Sequence, residues 1–314
     1  MVLIYNKRNR IVKLLMKGTI SVGRIRNLLR NINYLSKHSL WEQREEDIVY
    51  LSNKILDDGI YEYGLQLQDY NYLNVLKQRE SIELIIQSGK SFVRFNDGEI
   101  NLMKGKDQPF QKYDKELVKI LYDILNNPRA DLLVGVNEHY YEPGYLYSNY
   151  DYNRRHAYEF RMFLKKNCNK YATYIDGQCT FYEFGNNGEE TIWFWRTWKE
   201  AFRERDLVII CGKGILDKLQ YDVFEYAKSK KFIYAPSRHA WNNHDEIIDR
   251  IKCETSKKQL LVFILGMAGK AMIPEVTDMG YCAWDIGHLA KSYNAYMNNM
   301  QPTKENIKNF YAPD

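Results

Sequence analysis

The sequence has few cysteines, no long apolar run and no acidic residue among its first 40 positions. The five cysteines are odd in number, lie scattered between residues 168 and 282, and include no C-x-x-C pair. This argues against a disulfide framework and a thiolate zinc site, and it is typical of a reducing compartment. No stretch approaches the roughly 18 apolar residues of a membrane span. The apolar patch at residues 11–15 is too short for a signal peptide. We therefore expect a soluble, cytoplasmic protein.

The positive charge is concentrated at the N-terminus. Residues 1–40 carry nine lysines and arginines and no acid, although the whole chain of 314 residues has a net charge of only +5. Apolar residues recur there at spacings of three and four, which predicts two short amphipathic helices. Such basic helices can lie on anionic lipid, bind nucleic acid or dock on a partner, and the alternative is packing on their own domain. We expect peripheral contact with an anionic membrane at its cytoplasmic face. We expect no nucleic acid partner, because the rest of the chain is acidic on balance.

From residue 91 onward the sequence alternates between strand and helix patterns. The predicted strands are 91–95, 131–136, 171–176, 206–211, 231–235, 259–265 and 281–286. The predicted helices are 42–58, 71–88, 113–126, 153–167, 191–204, 216–229, 244–252, 268–279 and 288–298. Near-continuous apolar runs such as 260–265 suit strands that are buried on both faces. The alternation predicts an α/β fold with a largely parallel, doubly wound sheet.

The first strand-to-helix junction carries two carboxylates around one glycine. Strand 91–95 runs into Asp97, Gly98 and Glu99, which should lie at the carboxyl edge of the sheet, where open α/β sheets bind ligands. Two oxygen ligands with open positions suit Mn²⁺ or Mg²⁺ that also holds substrate phosphates. Gly98 would let a ligand approach the backbone closely. The alternative is an ordinary turn in which Asp97 caps a helix.

Later junctions combine glycine with lysine. Gly212 and Lys213 follow strand 206–211, and Gly266, Gly269 and Lys270 follow strand 259–265. Glycine turns before helices expose backbone N–H groups to an anion, and a nearby lysine adds a full charge. Neither turn is a P-loop or the G-x-G-x-x-G fingerprint, and tight packing alone could require each glycine. Their recurrence at one edge of the sheet favours a phosphate-bearing ligand.

The last junction contributes Asp285 and His288. A histidine at the start of a predicted helix should be neutral, because the positive end of the helix dipole disfavours the imidazolium, and a neutral ring can ligate a metal. A helix cap or a core histidine is the alternative. Asp285 could orient His288, ligate a metal, act as a general base or only form the turn.

The irregular stretch 137–152 is a candidate substrate loop, in which Tyr140, Tyr141 and Tyr145 could stack on sugar rings.

Several of these segments together resemble the GT-D glycosyltransferases. They are residues 94–99 (Arg-Phe-Asn-Asp-Gly-Glu), 132–135 (Leu-Leu-Val-Gly), 265–268, 279–281 and 285–288 (Asp-Ile-Gly-His), within a similarity that covers about residues 75–300. The resemblance implies a Rossmann-like fold of the GT-D type and metal-dependent sugar transfer from a nucleotide sugar. The family usually has glycine where this chain has Asn96, and asparagine tolerates the left-handed backbone that such a turn would require.

The resemblance also implies roles for individual residues. Asp97 and Glu99 correspond to the D-x-E motif of the metal and diphosphate site, and His288 corresponds to a closing histidine with contact to the metal or the diphosphate. Apart from the resemblance, an acceptor hydroxyl needs a carboxylate or histidine base within reach, and Asp285 is the candidate catalytic base. The candidate nucleotide-sugar contacts are Arg94, Gly98, Gly212, Lys213, Gly266, Gly269 and Lys270.

The expected activity is transfer of a hexose, with Mn²⁺ or Mg²⁺, from a UDP-sugar to a hydroxyl of a glycan, glycolipid or glycoprotein, as in polysaccharide biosynthesis. The alternatives are a nucleotide-dependent phospho- or nucleotidyltransferase and a non-catalytic membrane or nucleic-acid adaptor. The expected organisation is a basic, helical N-terminal extension (residues 1–74), a GT-D-like domain (residues 75–300) and a C-terminal tail (residues 301–314).

Overall fold

A computed structural model of the protein describes residues 73–141, 152–182 and 188–311. Its centre is one sheet of eight strands in the order β1-β4-β3-β2-β8-β7-β5-β6. Every adjacent pair of strands is parallel. The strands are β1 (Asn74–Val75), β2 (Ser91–Phe95), β3 (Leu132–Val136), β4 (Thr173–Asp176), β5 (Asp206–Gly212), β6 (Ser229–Ala235), β7 (Leu260–Ile264) and β8 (Cys282–Asp285). The predicted parallel α/β fold is confirmed.

The helices that flank the sheet come mostly between successive strands. They are α1 (Gln78–Ser88), α2 (Asp97–Met103), α3 (Lys115–Asn126), α4 (Tyr152–Asn167), α5 (Glu189–Phe202), α6 (His244–Glu254), α7 (Gly266–Asp278), α8 (Leu289–Met297) and α9 (Lys304–Tyr311). Short 3₁₀ turns occur at Glu138–Tyr141 and Ala240–Asn243. Among the described residues, no helix is long and apolar enough to cross a bilayer.

The apolar strands separate two hydrophobic cores. In β7, Leu261 and Phe263 belong to the core on one face of the sheet, whereas Leu260 and Val262 belong to the core on the other face. Successive side chains of a strand point to opposite faces, so a run of apolar residues is what a sheet covered on both sides requires. All five residues of β2 are buried for the same reason.

Aromatic packing and hydrogen bonds hold β8 beside β2. Phe92 pairs with Trp284 in the sheet, and the centres of their rings lie 5.8 Å apart. The indole Nε1 of Trp284 donates to the carbonyl of Lys90 at 3.0 Å. The backbone N–H of Ala283 donates to the hydroxyl of Ser91 at 3.0 Å. These contacts join segments about 190 residues apart in sequence and place the two strands' carboxyl ends side by side.

The predicted helix at 216–229 is wrong, because residues 213–228 form turns that lead directly into β6. Tertiary hydrogen bonds replace the helical ones there. The side chain of Asn294 accepts from the backbone N–H of Tyr221 at 2.9 Å and donates to its carbonyl at 2.6 Å. The carboxylate of Asp222 accepts from the N–H of Phe224 at 2.8 Å, which is the local bonding that favours turns over helix.

The two ends of the described region also differ from the prediction. The predicted helix 71–88 begins only at Gln78, because Asn74–Val75 form the edge strand β1. The predicted tail 301–314 contains helix α9. The predicted helices in residues 1–40 and at 42–58 lie outside the described residues.

Candidate functional site

The candidate site lies where β2 and β8 end. These strands are parallel neighbours, so the turn after Phe95 and the turn after Asp285 open on the same edge of the sheet. Strand β7 lies on the other side of β8, and helix α7 begins directly after β7. The three junctions 96–99, 265–270 and 285–288 are therefore adjacent, as the position of ligand sites in open parallel sheets requires.

The acidic turn is fixed by its own backbone and by the end of β4. Glu99 lies in the first turn of α2, and its Oε2 accepts from the backbone N–H of Asn96 at 2.9 Å. The side-chain amide of Asn96 donates to the carbonyl of Gly177 at 3.2 Å. The backbone of Asn96 is extended, with φ −122°, so the expected need for a left-handed residue at this position is wrong. Asp97 is half-buried and is the first residue of the helix.

Arg94 is buried and binds the end of β8. Its Nε donates to the main-chain carbonyl of Asp285 at 3.0 Å, and its Nη2 lies 3.4 Å from the Oδ1 of that residue. Its Nη1 donates to the carbonyl of Gly177 at 3.2 Å. The guanidinium thus links the ends of β2, β4 and β8. Because all three of its nitrogen atoms are engaged, the contacts assign it a supporting position rather than direct contact with a donor.

Lys270 connects the two carboxylates of the cluster. Its Nζ lies 2.9 Å from Oε1 of Glu99 and 3.2 Å from Oδ2 of Asp285. The side chains of all three residues are at most 7% exposed. Buried charges persist when they are paired and hydrogen-bonded, and here two cations balance two carboxylates. We refer to Arg94, Glu99, Lys270 and Asp285 as the ion-pair cluster.

The charges of the cluster stabilise one another. Burial alone would raise the pKa of Asp285, but Arg94 and Lys270 hold it below the usual value. Burial alone would lower the pKa of Lys270, but Asp285 and Glu99 raise it above the usual value. A general base works best with a pKa near the working pH and within reach of the acceptor proton. Asp285 is 1% exposed and its pKa is depressed, so the geometry favours a structural role over the predicted catalytic one.

His288 lies directly after the turn that Asp285 begins. It is partly buried beside Phe310 of α9, with 5.5 Å between the centres of the rings. Burial, together with the positive charges of Lys291, Arg94 and Lys270, lowers the pKa of His288 to about 4. The ring is therefore neutral at physiological pH, as expected for a metal ligand.

The turn before His288 requires a glycine. Gly287 has φ +48°, and a Cβ atom at this position would overlap Nη2 of Arg94. Its backbone N–H donates to Oδ1 of Asp285 at 3.2 Å. A side chain would therefore be strained and would also displace the guanidinium that holds β8.

The glycines predicted to contact the donor lie in three different settings. Gly98 lies beside Met267, and Gly266 starts α7 with φ +55°, so both belong to the edge formed by the cluster. A Cβ atom on Gly269 would lie 3.3 Å from the side chain of Phe263, so this glycine serves close packing of helix on strand. Gly212 is the last residue of β5 and the exposed Lys213 follows it, while β7 separates β5 from β8. Gly212 packs against Ser237, which lies two residues after the end of β6.

Of the three tyrosines in the predicted substrate loop, the structure describes the side chain of Tyr140. Tyr140 is fully buried, with its ring 5.1 Å from the ring of Phe160. Its carbonyl accepts from Arg161 at 2.6 Å. The predicted sugar contact of Tyr140 is therefore wrong, because the ring belongs to the core. Tyr141 ends the 3₁₀ turn, and Tyr145 lies outside the described residues.

The acidic turn fits a cation site that a substrate would complete. No group of three or more Asp, Glu, His or Cys side chains forms a metal cage in the described part of the chain. Mg²⁺ is commonly held by only one or two carboxylates together with substrate phosphates and water. Each oxygen of Glu99 accepts one bond and keeps a further lone pair. Asp97 and Glu99 are therefore suitable protein ligands for such a cation.

The end of β4 is a part of the site that the sequence did not reveal to us. Oδ1 of the buried Asp176 accepts from the backbone N–H groups of Glu138 and Gln178 at 3.2 and 3.0 Å. Gly177 then allows the close approach of Asn96 and Arg94. A signal was available in the sequence: the predicted strand 171–176 ends at Asp176 and is followed by Gly177. The same pair, Asp97 and Gly98, comes shortly after strand 91–95.

The parallel sheet and its polar carboxyl edge place the protein among the open α/β proteins that bind ligands at this edge. The family described as "Glycosyltransferase GT-D fold" matches residues 92–312, which is more than half of the chain. The chain belongs to this family, and the resemblance that its motifs indicated is confirmed.

Relatives and solved structures agree with the family. The chain is 28% identical over 220 residues to "Glycosyltransferase GlyD" of Streptococcus pneumoniae serotype 4, covering 68% of this chain and 26% of that protein. It is 25% identical over 260 residues to "Probable glycosyl transferase Gly" of Streptococcus gordonii, covering 76% of this chain and 35% of that protein. The chain thus spans about a quarter to a third of these relatives.

A solved structure described as the highly conserved domain of unknown function 1792, with a distinct glycosyltransferase fold, superposes with a TM-score of 0.67. It is 25% identical, and the match covers 79% of this chain and 93% of that one. A structure described as a new glycosyltransferase from Streptococcus sanguinis has a TM-score of 0.63 and 22% identity, over 77% of this chain and 93% of that one, and supports the fold alone.

Proposed function

We propose that the protein is a metal-dependent glycosyltransferase that transfers a hexose from a UDP-sugar to a hydroxyl of a glycan, glycolipid or glycoprotein. The observation that supports this best is the joining of the two motifs by Lys270, whose Nζ contacts both Glu99 and Asp285. Membership of the GT-D family favours sugar transfer over phosphoryl or nucleotidyl transfer and over a non-catalytic adaptor.

The proposed metal ligands are Asp97 and Glu99, and His288, whose ring is neutral, is the third candidate. When bound, Mn²⁺ or Mg²⁺ would screen the diphosphate and stabilise the charge that develops on the leaving group. The protein's own contribution is to hold the turn at 96–99 rigidly, through the bond from the N–H of Asn96 to Glu99 and the bond from Asn96 to Gly177.

The proposed donor contacts are the backbone of the glycine turns. Gly98 and Gly266 lie at the edge that carries the cluster, and N–H groups at the start of α7 suit an anionic group. Lys213, exposed at the end of β5, would reach the donor only if the donor extends across β7. Arg94 and Lys270 are engaged with carboxylates, so we assign them the support of the site and not direct binding of phosphate.

The test is a panel of nucleotide sugars with the purified protein, each with Mn²⁺, with Mg²⁺ and with EDTA. Thermal shifts identify the donor that binds, and mass spectrometry of the products detects the transferred sugar. We expect stabilisation and slow donor hydrolysis with one UDP-hexose and Mn²⁺, abolished by EDTA. Release of inorganic phosphate or transfer of a nucleotidyl group without sugar transfer would instead support the phospho- or nucleotidyltransferase alternative.

We also propose that residues 1–40 bring the enzyme to the cytoplasmic face of an anionic membrane, close to lipid-linked acceptors. Nine positive charges without an acid support this, because each basic residue near such a surface adds about 1 kcal/mol of attraction. The full chain should sediment with vesicles that contain phosphatidylglycerol and not with neutral vesicles. If a version without residues 1–40 sediments equally well, the arm has another role.

A further inference from the structure

The ammonium of Lys270 is enclosed by oxygen atoms of the ion-pair cluster and of the main chain. It lies 2.9 Å from Glu99, 3.2 Å from Asp285 and 3.5 Å from the carbonyl of Gly266. A lysine ammonium has three N–H bonds, and here three oxygen atoms surround it. Its side chain is 5% exposed, so a ligand would reach it only by displacing one of these partners.

We infer that Lys270 is a positioning residue, which fixes the acidic turn after β2 against the end of β8 and does not itself bind the donor. This inference rests on the proposed function, because the residue that it positions, Glu99, is a proposed metal ligand. Glu99 is held on both sides: Oε1 by Lys270 and Oε2 by the backbone of Asn96. Outer partners of this kind orient ligating carboxylates and affect metal affinity.

The charge balance of the cluster predicts what the loss of Lys270 would do. Arg94 contacts Asp285 directly, so Asp285 would keep one cationic partner. Glu99 would keep only a backbone N–H, and its buried carboxylate would have no ion-pair partner in the cluster. A buried charge without its partner is strongly destabilising, and a carboxylate free to change rotamer is a poorer ligand.

The test compares Lys270→Met with Lys258→Met, a matched control on an exposed loop lysine. For Lys270→Met we expect Tm to fall by roughly 10 °C, and Mn²⁺ affinity, measured by electron paramagnetic resonance, to fall about tenfold. With an active donor, kcat should fall while KM changes little, because the donor contacts remain. Lys258→Met should match the unmodified protein in Tm and Mn²⁺ affinity.

A second variant keeps the test decisive if Lys270→Met does not fold. The double variant Glu99→Gln/Lys270→Met removes the opposing charge as well, so its Tm should exceed that of Lys270→Met, and the two changes should be strongly non-additive. If the change in Tm of the double variant equals the sum of the changes for Glu99→Gln and Lys270→Met measured singly, the inference is overturned. So would a Lys270→Met protein with unchanged Tm and Mn²⁺ affinity but much weaker UDP binding, since Lys270 would then contact the donor.

Failure of the proposed function would give a different result. If the unmodified protein transfers sugar from no nucleotide sugar, the assignment as a glycosyltransferase fails, whereas the Tm of the single and double variants still decides whether Lys270 pairs with Glu99. If the unmodified protein transfers sugar and Lys270→Met behaves like Lys258→Met in every measurement, only the positioning role is overturned.

Discussion

Arg94 binds both the main chain and the side chain of Asp285, through Nε at 3.0 Å to the carbonyl and Nη2 at 3.4 Å to the carboxylate. The contact connects the carboxyl end of β2 to the carboxyl end of its neighbour β8. A guanidinium can make both contacts because its donors form a rigid fork, whereas a lysine ammonium is a compact point charge. The geometry at the carboxyl edge therefore depends on arginine in particular.

Replacement of Arg94 by methionine should destabilise the protein by about 3–5 kcal/mol, because it removes one partner of a buried ion pair. Replacement by lysine should restore only part of this loss, since lysine cannot occupy both positions of the fork. Urea denaturation followed by circular dichroism measures both changes. The control is Arg203→Met, whose side chain pairs with Glu200 and lies over the ring of Tyr226 on the surface, and which should cost far less stability than Arg94→Met. Equal stability of the Arg94 and Arg203 variants would show that the buried pair is not formed.

Gly287→Ala should disturb the site more than a glycine replacement elsewhere with the same type of backbone. Gly287 and Gly105 both have positive φ, but only at Gly287 would a Cβ atom meet Arg94, while at Gly105 no atom lies within 4 Å. Alanine with positive φ costs about 1 kcal/mol in either position. We expect an additional loss of stability and a large loss of activity for Gly287→Ala alone. Thermal denaturation and donor hydrolysis of both alanine variants measure the difference. Equal losses of stability and activity at Gly287 and Gly105 would contradict the contact with Arg94.

The dependence of stability on pH follows from the cluster. The folded-state pKa of Asp285 is lowered, so its contribution to stability is present above its ordinary pKa of about 4 and is lost as pH falls through the lower folded value. The pKa of Lys270 is raised, so its contribution is present below about 10.4 and is lost only as pH rises through the higher folded value. Stability should therefore be independent of these two groups between pH 5 and 9.

Asp285→Asn isolates the acidic part of this profile. Between its folded pKa and about pH 4, the unmodified protein should lose stability more steeply than the variant, because the variant lacks one titrating carboxylate. Urea denaturation at intervals from pH 2.5 to 6 gives both slopes. Parallel curves over this range would show that Asp285 titrates alike in the folded and unfolded chains.

His288 should stay neutral throughout the pH range of an activity assay. Burial and neighbouring cations lower its pKa to about 4, so its ring resonances should not move between pH 5 and 8 in nuclear magnetic resonance spectra. Phe310→Ala, which removes the ring that lies against His288, should admit water and raise this pKa. A titration of His288 near pH 6.5 in the unmodified protein would contradict the lowered pKa.

Much of the sheet could be predicted because its strands are both apolar and bounded by polar turns. The strands β2 and β7 were predicted to within one residue, since residues 260–264 form an apolar run of strand length and residues 91–95 are rich in aromatic and β-branched side chains. Strand β1 has only two residues and gives no periodic signal. The turns at 213–228 were mistaken for a helix because part of their hydrogen bonding is not local: the side chain of Asn294, more than 60 residues later, bonds the N–H and the carbonyl of Tyr221.

The sequence predicted where the site lies, but not which strands are neighbours or which side chains form ion pairs there. Parallel strands bring all their carboxyl ends to one edge, so the junctions that carry Glu99, Lys270 and Asp285 were expected to meet. The order of the strands, which makes β2 and β8 neighbours, does not follow from local sequence. Neither does the choice of partner: a lysine beside glycines could bind a phosphate or a carboxylate, and only the fold places Lys270 between two carboxylates.

The measurement that tests the central claim most directly is the kinetics of Asp97→Asn with the best UDP-hexose and Mn²⁺. Asp97 is half-buried at the start of α2 and outside the ion-pair cluster, and the assay is run well below the measured Tm of both proteins so that stability does not affect the rates. The account predicts a fall in kcat/KM of at least about 100-fold together with weaker Mn²⁺ binding. Full activity of Asp97→Asn, and equal activity of the unmodified protein in EDTA, would contradict it.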